Sequence, residues 1–217
     1  LKSVGGGSRI EFSLLNQNAQ REANHLAFGR RDLPELHFEE AKLLLNFSSD
    51  FLETWGNPVE QARRFTDMHA YEGKDRHRFL HIGPHISLTG AKADRWVQIQ
   101  PGSEALVALA IASVIREKQG SHAWLAPYLG NYSPAKVADA TGVSAEKITE
   151  LAEDVMEHSP SLALGGSSIA ATKDGLALHN AVNILNTVAG NLNKTVRFNR
   201  TSGSVPSSHG DVVALIN

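Results

Sequence analysis

Short apolar runs alternate with helix signals between residues 42 and 118, and this alternation constrains the fold more than any other feature of the sequence. The apolar runs suit buried strands, and the helix signals are capping residues followed by apolar residues at helical spacing. The predicted elements are a strand at 42–47, a helix from Asn57, strands at 78–82 and 96–99, and a helix from Ser103 to Lys118. This succession predicts an α/β fold with a parallel sheet and right-handed crossovers.

The character of the sequence changes after residue 120. Residues 122–134 (HAWLAPYLGNYSP) are turn-rich and aromatic, which is typical of a connection between subdomains. Other predicted elements are an amphipathic helix at 11–28 that ends at Gly29, a helix after Ser144, a strand at 161–164, a helix after Asp174 and a long loop beyond Gly190. We therefore predict an α/β region with a parallel sheet at 1–120, connected to a further α/β region at 121–217.

Composition excludes several classes of function. The chain has 21 Lys and Arg against 23 Asp and Glu, so no strong basic field attracts nucleic acid or anionic lipid. It has no cysteine, which excludes a disulfide framework or a thiolate-bound iron–sulfur cluster within these residues. The longest apolar run, 105–115, is shorter than the roughly 18 residues of a membrane span. The chain starts without methionine and stops inside an apolar pattern, so we expect a piece of a longer polypeptide.

Three histidines, His77, His81 and His85, recur at every fourth position, which on a helix is the spacing of a metal site. Gly83 and Pro84 interrupt the row, and the residues around His81 favour a strand. On a strand, residues four apart lie about 13 Å from each other, at about 3.3 Å per residue. One metal ion needs its nitrogens at roughly 2 Å, so we predict separate histidines and no metal site.

Other candidate sites have weaker signals. The Gly-rich run 5–8 lacks the spacing of a phosphate loop and is interpreted as a flexible link. Catalysis by Ser, His and Asp has no anchoring motif such as GxSxG, so no catalytic residue is predicted. Asp50 and Glu53 follow the first predicted strand and are candidates for paired carboxylates, although a solvated loop with a helix-capping acid is the simpler interpretation.

The turns that end the strands are the best candidate for a ligand site, because parallel α/β sheets bind ligands at the carboxyl ends of their strands. These turns are residues 48–50, 83–85 and 101–103, and the last precedes a helix N-terminus that suits an anion. Three such turns side by side have the size to hold a nucleotide. Any α/β sheet has such loops, so occupation depends on their chemistry.

The same turns carry a family resemblance. Residues 47–58 (FSSDFLETWGNP), 81–96 (HIGPHISLTGAKADRW) and 98–105 (QIQPGSEA) resemble the molybdopterin oxidoreductase (dimethyl sulfoxide reductase) superfamily, as do 140–148 (ATGVSAEKI) and 185–191 (LNTVAGN). The resemblance implies a middle part of a large subunit, with a parallel-sheet dinucleotide-fold domain at 1–120 that binds a guanine-dinucleotide pterin in active members. It also implies the start of a neighbouring α/β domain at 121–217. It covers about Asn24 to Asn193.

The departures from the family pattern lie at the cofactor contacts. The resemblance implies a Gly-rich turn where Ser48 and Ser49 stand, and an Asp-Pro-Arg where the chain has 83–85 (GPH), so that His85 replaces an arginine. It also implies Arg-Pro-Gly-Thr-Asp where the chain has 100–104 (QPGSE). Loss of arginine weakens the capture of a pyrophosphate. We therefore predict no bound cofactor, and a vestigial pterin site at Asp50, His85, Thr89 and Gly102.

Residues 50–65 and 84–96 are most similar to the B subunits of bacterial alternative complex III, a quinol:electron-acceptor oxidoreductase whose molybdopterin-like domain holds no molybdenum. This resemblance implies a scaffold domain with iron–sulfur clusters elsewhere in the same subunit. It also implies heme c and quinol-binding membrane subunits as partners, no nucleic-acid partner, and a peripheral location on the periplasmic side of a bacterial inner membrane.

Two alternatives remain at this point. A working molybdenum or tungsten bis-pterin enzyme predicts a pterin seated against Asp50, Thr89 and Gly102, with its catalytic residues outside this chain. A free-standing nucleotide-binding module is the weakest alternative, because the chain lacks a phosphate loop.

Overall fold

The structure is a computed structural model that describes residues 17–70, 77–166, 174–198 and 209–216. Its helices are α1 (Asn18–Phe28), α2 (Pro58–His69), α3 (Glu104–Gln119), α4 (Ala126–Leu129), α5 (Pro134–Thr141), α6 (Ala145–Glu157), α7 (Asp174–Val188) and α8 (His209–Ile216). Its strands are β1 (Glu35–Leu36), β2 (Leu43–Phe47), β3 (Arg78–Gly83), β4 (Arg95–Gln98), β5 (Ser161–Gly165) and β6 (Val196–Arg197). The predicted α/β class with a parallel sheet is confirmed.

The main sheet has four parallel strands in the order β4-β3-β2-β5. Strand β2 lies in the middle, with Leu45 opposite Leu80 of β3 on one side and opposite Ala163 of β5 on the other. Every residue of β2 and β5 is buried. This burial explains why both strands are continuous apolar runs in the sequence rather than alternating ones.

Helices cover both faces of this sheet. On one face, Phe65 and Met68 of α2 pack against Phe51, Phe79 and Leu44. On the other face, α3, α5, α6 and α7 pack against the second side of the sheet, with α3 in the centre of that layer. The interior of α3 is buried from Val107 to Ile115, as its uninterrupted apolar sequence predicts.

The predicted helix ends agree closely with the structure. Asn57 accepts a hydrogen bond from the Glu60 backbone at the start of α2, and Ser144 caps α6 through the Lys147 backbone. Ser103 precedes α3 as predicted, but its hydroxyl donates to the Gln100 carbonyl (2.7 Å) and does not cap the helix. Asp174, predicted to cap α7, is instead its first residue. The N-terminal part of the helix predicted at 11–28 and the Gly-rich run at 5–8 lie outside the described residues.

The region after residue 120 contributes to the same sheet. Strand β5 pairs with β2, and α6 and α7 pack on α3, so these described elements from both sides of residue 120 share one sheet and one core. The boundary between two domains at residue 120 remains a prediction. Within 122–134, the turn-rich segment contains α4 and two short 3-10 turns, and it is followed by α5.

A small antiparallel ladder lies outside the main sheet. It pairs β1 with β6, with Leu36 opposite Val196. The interpretation of everything beyond Gly190 as loop was therefore wrong for β6, because a two-residue strand leaves no periodicity in the sequence. Among the helices that the structure describes, none has the length and hydrophobicity needed to cross a bilayer.

The free edge of β5 is closed by side chains. The Asn186 amide of α7 exchanges two hydrogen bonds with the Ala163 backbone, each 3.0 Å long. Asn191 accepts from the Ser161 N–H, and the Thr195 hydroxyl donates to the Ser161 carbonyl. These bonds satisfy backbone groups that a further strand would otherwise pair. Part of the 185–191 motif therefore has a structural role.

Candidate functional site at the carboxyl ends of the strands

The site lies where the chain leaves the sheet in opposite directions. After β2 the chain passes to α2 on one face, and after β5 it passes to α7 on the other face. Adjacent parallel strands that diverge in this way open a crevice at their carboxyl ends, where nucleotides bind in doubly wound sheets. The turns at 48–50, 83–85 and 101–103 end neighbouring strands, as the sequence predicted. The turn after β5 belongs to the same edge, although the sequence placed it in another domain.

The turn after β2 is tied to its neighbours by Ser48. Its backbone has a positive φ of 56°, its N–H donates to the Ile82 carbonyl, and its hydroxyl donates to Glu104 at 3.0 Å. Ser48 and Glu104 are both buried. The side chain at this position thus binds the first turn of α3, which is the turn that would have to face an incoming anion.

Inside this edge, His81 of β3 connects two turns. Its Nδ1 lies 3.1 Å from Asn46 Nδ2, and its Nε2 lies 3.1 Å from the His85 carbonyl oxygen. Asn46 also exchanges two hydrogen bonds with the Ser49 backbone. Burial lowers the pKa of His81 below its ordinary value, so the ring is neutral at pH 7.

The turn after β3 leaves no room around this ring. A Cβ on Gly83 would lie 2.8 Å from the Ser48 hydroxyl, and one on Gly90 would lie 2.8 Å from the His81 ring. Further along, the Glu53 carboxylate accepts from the Thr89 N–H at 2.9 Å. The interior of this edge is therefore filled by the chain's own side chains.

The predicted site residues have separate positions in this arrangement. The Asp50 carbonyl accepts three backbone N–H groups, from 53, 54 and 55, and so closes the turn that follows β2. Glu53 binds Thr89, so the hypothesis of a carboxylate pair with Asp50 has no support from its contacts. Thr89 is fully buried and also receives the Leu52 N–H. His85 is exposed, and it contributes its backbone carbonyl to His81.

The turn after β4 differs from the other two. Gly102 is exposed with a φ of 82°, and a Cβ placed on it would meet nothing within 4 Å. The positive φ explains the glycine, because few other residues adopt it without strain. This turn borders α3, but its residues form no link to the His81 cluster among the described contacts.

Trp55 occupies the crevice between β2 and β5. A Cβ on Gly166 would lie 2.3 Å from the Trp55 indole nitrogen, so the ring rests directly on the backbone at the end of β5. Gly166 has a φ of 138°, which also favours glycine. Sequence reasoning missed this contact. The Gly165-Gly166 pair after an apolar strand is the signal that points to a close approach at this position.

A cavity of about 370 Å³ adjoins the exposed side of Trp55. Its walls include Gly56 and Asn57 from the turn, Gln20 from α1, and a charged group formed by Arg64 and Glu35. Arg64 is the cation among the described residues that line it, and its guanidinium already binds three carboxylates (Glu35 and Glu39 at 2.9 Å, Glu60 at 3.1 Å). The cavity therefore offers no uncommitted positive charge to a phosphate.

The residues that the structure describes at this edge, which leave out 167–173 after β5, do not fit a pterin dinucleotide. The diphosphate of such a cofactor needs positive donors, yet the nine residues of the three predicted turns include no lysine or arginine. The carboxylates of Glu53 and Glu104 are tied into the same edge. The Ser49 hydroxyl is buried without a partner in the described part of the chain, but a neutral hydroxyl does not replace a cation.

Two groups of possible metal ligands occur among the described residues. One comprises His37, Glu39 and Glu40, and the other comprises Asp154, Glu157 and His158. Guanidinium groups already bind their carboxylates, for example Arg197 at Glu40 and Arg78 at Asp154. Neither group includes a member of the histidine row, and His81 uses both of its ring nitrogens in hydrogen bonds.

Comparison with known proteins agrees with the family resemblance. The chain is 29% identical over 136 residues to the menaquinone reductase molybdopterin-binding-like subunit of Nitratidesulfovibrio vulgaris (strain Hildenborough), covering 59% of this chain and 19% of that protein. It is 24% identical over 159 residues to the arsenate respiratory reductase molybdopterin-containing subunit ArrA of Shewanella sp. (strain ANA-3), covering 68% of this chain and 16% of that protein. The chain thus spans less than a fifth of the length of either relative. No family model matches it.

A solved structure shows the same fold. Acetylene hydratase from Pelobacter acetylenicus superposes with a TM-score of 0.56 at 17% identity, covering 80% of this chain and 24% of that one. The two relatives agree with the resemblance of this chain to the molybdopterin oxidoreductase superfamily, and the solved structure shows the shared fold.

Proposed function

We propose that this chain is a cofactor-free scaffold domain of the iron–sulfur B subunit of a membrane-associated quinol:electron-acceptor oxidoreductase, alternative complex III. The observation that carries the proposal is the crevice at the carboxyl ends of β2 and β5. Trp55 rests on Gly166 there, and His81 and Ser48 fill the neighbouring turns. The parallel sheet is kept, while the nine residues of the turns at 48–50, 83–85 and 101–103 include no lysine or arginine for a pterin diphosphate, which supports the proposal.

In this role the domain gives shape and docking surface to a larger assembly. Electrons would pass through iron–sulfur clusters elsewhere in the same subunit and through heme c subunits, and quinol would be oxidised at membrane subunits. The relative named as a subunit of menaquinone reductase supports a place in a multi-subunit redox complex. A peripheral position on the periplasmic side of a bacterial inner membrane belongs to the same proposal.

The alternative is the middle part of a catalytic subunit in an active molybdenum or tungsten bis-pterin oxidoreductase. The relative named as a molybdopterin-containing subunit favours it. It requires a pterin against Asp50, Thr89 and Gly102. Of these three residues, Thr89 is fully buried and holds Glu53 and Leu52, so its groups do not face a ligand.

Extraction of the full-length protein and oxidation of any pterin to its fluorescent derivative distinguishes the two proposals. The scaffold proposal expects less than about 0.05 pterin per polypeptide, and the enzyme proposal expects close to two, since bis-pterin sites hold a pair. A matched preparation of an active bis-pterin enzyme, carried through the same extraction, controls for loss. Recovery of pterin at the stoichiometry of that control would exclude the scaffold role.

A further inference from the structure

A buried hydrogen-bond chain runs from Asn46 through His81 to His85 and connects the turns after β2 and β3. Asn46 has a fixed orientation, because its Oδ1 accepts from the Ser49 N–H (2.8 Å) while its Nδ2 donates to the Ser49 carbonyl (2.7 Å). Rotating the amide by half a turn would place oxygen against oxygen and N–H against N–H, so both bonds would be lost.

This orientation determines the tautomer of His81. The second hydrogen of Asn46 Nδ2 points to His81 Nδ1 at 3.1 Å, so Nδ1 accepts. The proton of the neutral ring therefore sits on Nε2, which donates to the His85 carbonyl at 3.1 Å. Both ring nitrogens are satisfied only in the neutral state.

A second proton on the ring has no place in this geometry. It would sit on Nδ1 and face the Asn46 N–H, so one buried donor would be left without an acceptor. The Gly83 and Gly90 backbones lie close to the ring and restrict its movement, since a Cβ on them would be 3.1 Å and 2.8 Å from ring atoms. Relief requires the turn itself to move.

We propose that His81 is a pH-sensitive lock on the turn after β3, residues 83–90, which closes at neutral pH and opens when the ring is protonated. The turn carries Ile86 and Leu88, which are exposed, so its release would change the surface at this edge. The proposal rests on the geometry of the hydrogen bonds, and the lowered pKa of His81, caused first by its burial, agrees with it.

Several polar and charged groups face His81. Burial lowers its pKa most, the hydrogen bond to the His85 carbonyl and the charge of Asp50 in the turn after β2 raise it, and the His85 side chain lowers it. Glu104 of α3 binds Ser48, whose hydroxyl is adjacent to Gly83, and Glu53 binds Thr89 next to Gly90. These carboxylates are held by hydrogen bonds to other groups, and the lowered pKa of His81 shows that burial outweighs the attraction of Asp50.

The tautomer is tested first, by nitrogen-15 NMR of the histidine rings in the 217-residue chain at pH 7.5. The lock predicts the Nε2–H tautomer at His81. A ring protonated on Nδ1, or a doubly protonated ring at this pH, would overturn the proposal. This measurement needs no variant and so does not depend on the folding of one.

The opening is tested by amide hydrogen exchange of Thr89 and Gly90, whose N–H groups donate to Glu53 and Ser87, between pH 7.5 and 5.0, expressed as protection factors. Because opening is linked to binding of one proton, protection is expected to fall by up to about tenfold for each pH unit between the pKa of an open ring, about 6.5, and the lower pKa of the closed ring, and to level off below that. Constant protection while the His81 ring titrates would show that the ring does not control the turn, and would overturn the proposal.

Two variants test whether His81 is the group whose protonation opens the turn. Asn46→Asp places a carboxylate against Nδ1 and is expected to raise the midpoint by about one pH unit or more. His85→Gln is the matched control, since it removes a neighbouring ring but keeps the backbone acceptor, and the transition is expected to persist. Loss of the transition in His85→Gln would assign the sensor to His85 and refute the lock.

Discussion

The turns after β2 and β3 differ from the turn after β4, although all three end parallel strands of one sheet. A Cβ on Gly83 would collide with Ser48, whereas a Cβ on Gly102 would meet nothing within 4 Å. Ser48, His81 and Glu104 join the first two turns into a buried cluster. The comparison shows that the same position in a parallel sheet becomes a closed or an open turn according to its side chains. In this chain the closed turns lie beside the crevice where a dinucleotide would bind.

The largest expected effect is a loss of stability in acid, and it comes from His179 on α7. Burial lowers its pKa to about 4, against about 6.5 in an unfolded chain. The folded state therefore binds fewer protons, so the free energy of unfolding is highest above pH 6.5 and falls by about 3 kcal/mol as the pH drops to 4. Urea unfolding of the parent chain and of His179→Leu across this pH range measures the effect. The variant is expected to lose most of the dependence of the unfolding free energy on pH.

The exposed His25 supplies the control for that experiment, because His25→Gln removes a histidine without removing a buried one. An equal slope in the parent chain and in His179→Leu would contradict the assignment. Part of the pH dependence of stability that remains in His179→Leu is expected to come from His81. That variant therefore allows the acid response of the closed turns to be measured.

Gly90→Ala tests the packing of the closed turn after β3. The new Cβ would lie 2.8 Å from a ring atom of His81, and the ring is held by Asn46 and His85. We expect a loss of about 2 kcal/mol in the free energy of unfolding, in the range for overpacked cores. In a His81→Ala background the cost should fall below about 1 kcal/mol, because the two sites are coupled. An equal cost in both backgrounds would show that Gly90 and the His81 ring are not energetically coupled.

The link between β2 and α3 is tested by Ser48→Ala. Alanine keeps a Cβ at the same positive φ, so the change isolates the hydroxyl that donates to Glu104. We expect a loss of about 1.5 kcal/mol in chemical unfolding, because the buried carboxylate loses a donor. Ser103→Ala, in the open turn, removes a hydroxyl that donates to a neutral carbonyl and should cost less. Equal costs would remove the distinction between the two turns.

The smallest effect is expected for Gly102→Ala in the open turn. Its Cβ would meet nothing within 4 Å, so the cost comes only from the φ of 82° and should be about 1 kcal/mol. Thermal unfolding of this variant and of Gly90→Ala compares the cost of backbone strain at Gly102 with the cost of a steric clash at Gly90. A larger loss at Gly102 than at Gly90 would mean that the closed turns are not the tightly packed ones.

Much of the fold could be predicted because its strands are fully buried. The runs at 42–47 and 161–164 are apolar throughout, which locates β2 and β5 within a residue at each end. The neighbour of β5 could not be predicted, since an apolar run does not specify the strand with which it pairs. The two-residue strands β1 and β6 are too short to leave a pattern.

The site was predicted as a set of turns but not as a set of contacts. The sequence correctly placed turns after strands at 48–50, 83–85 and 101–103. The separation that an extended strand would give the histidines does not hold for His81 and His85, because the turn after β3 brings the His85 carbonyl to 3.1 Å from His81 Nε2. The sequence did not indicate that His81 meets Asn46, which lies 35 residues earlier, or that Trp55 rests on Gly166. Such contacts depend on strand pairing between distant segments, and no local pattern encodes them.

The central claim is that the crevice between β2 and β5 holds no pterin cofactor, and its most direct test is the metal content of the complete protein. Molybdenum and tungsten should be measured by mass spectrometry on the complex purified from its native source, with iron from the same sample as an internal reference for cofactor retention. The account predicts iron at cluster stoichiometry with molybdenum and tungsten each below about 0.05 per polypeptide. One molybdenum or tungsten atom per polypeptide would contradict it.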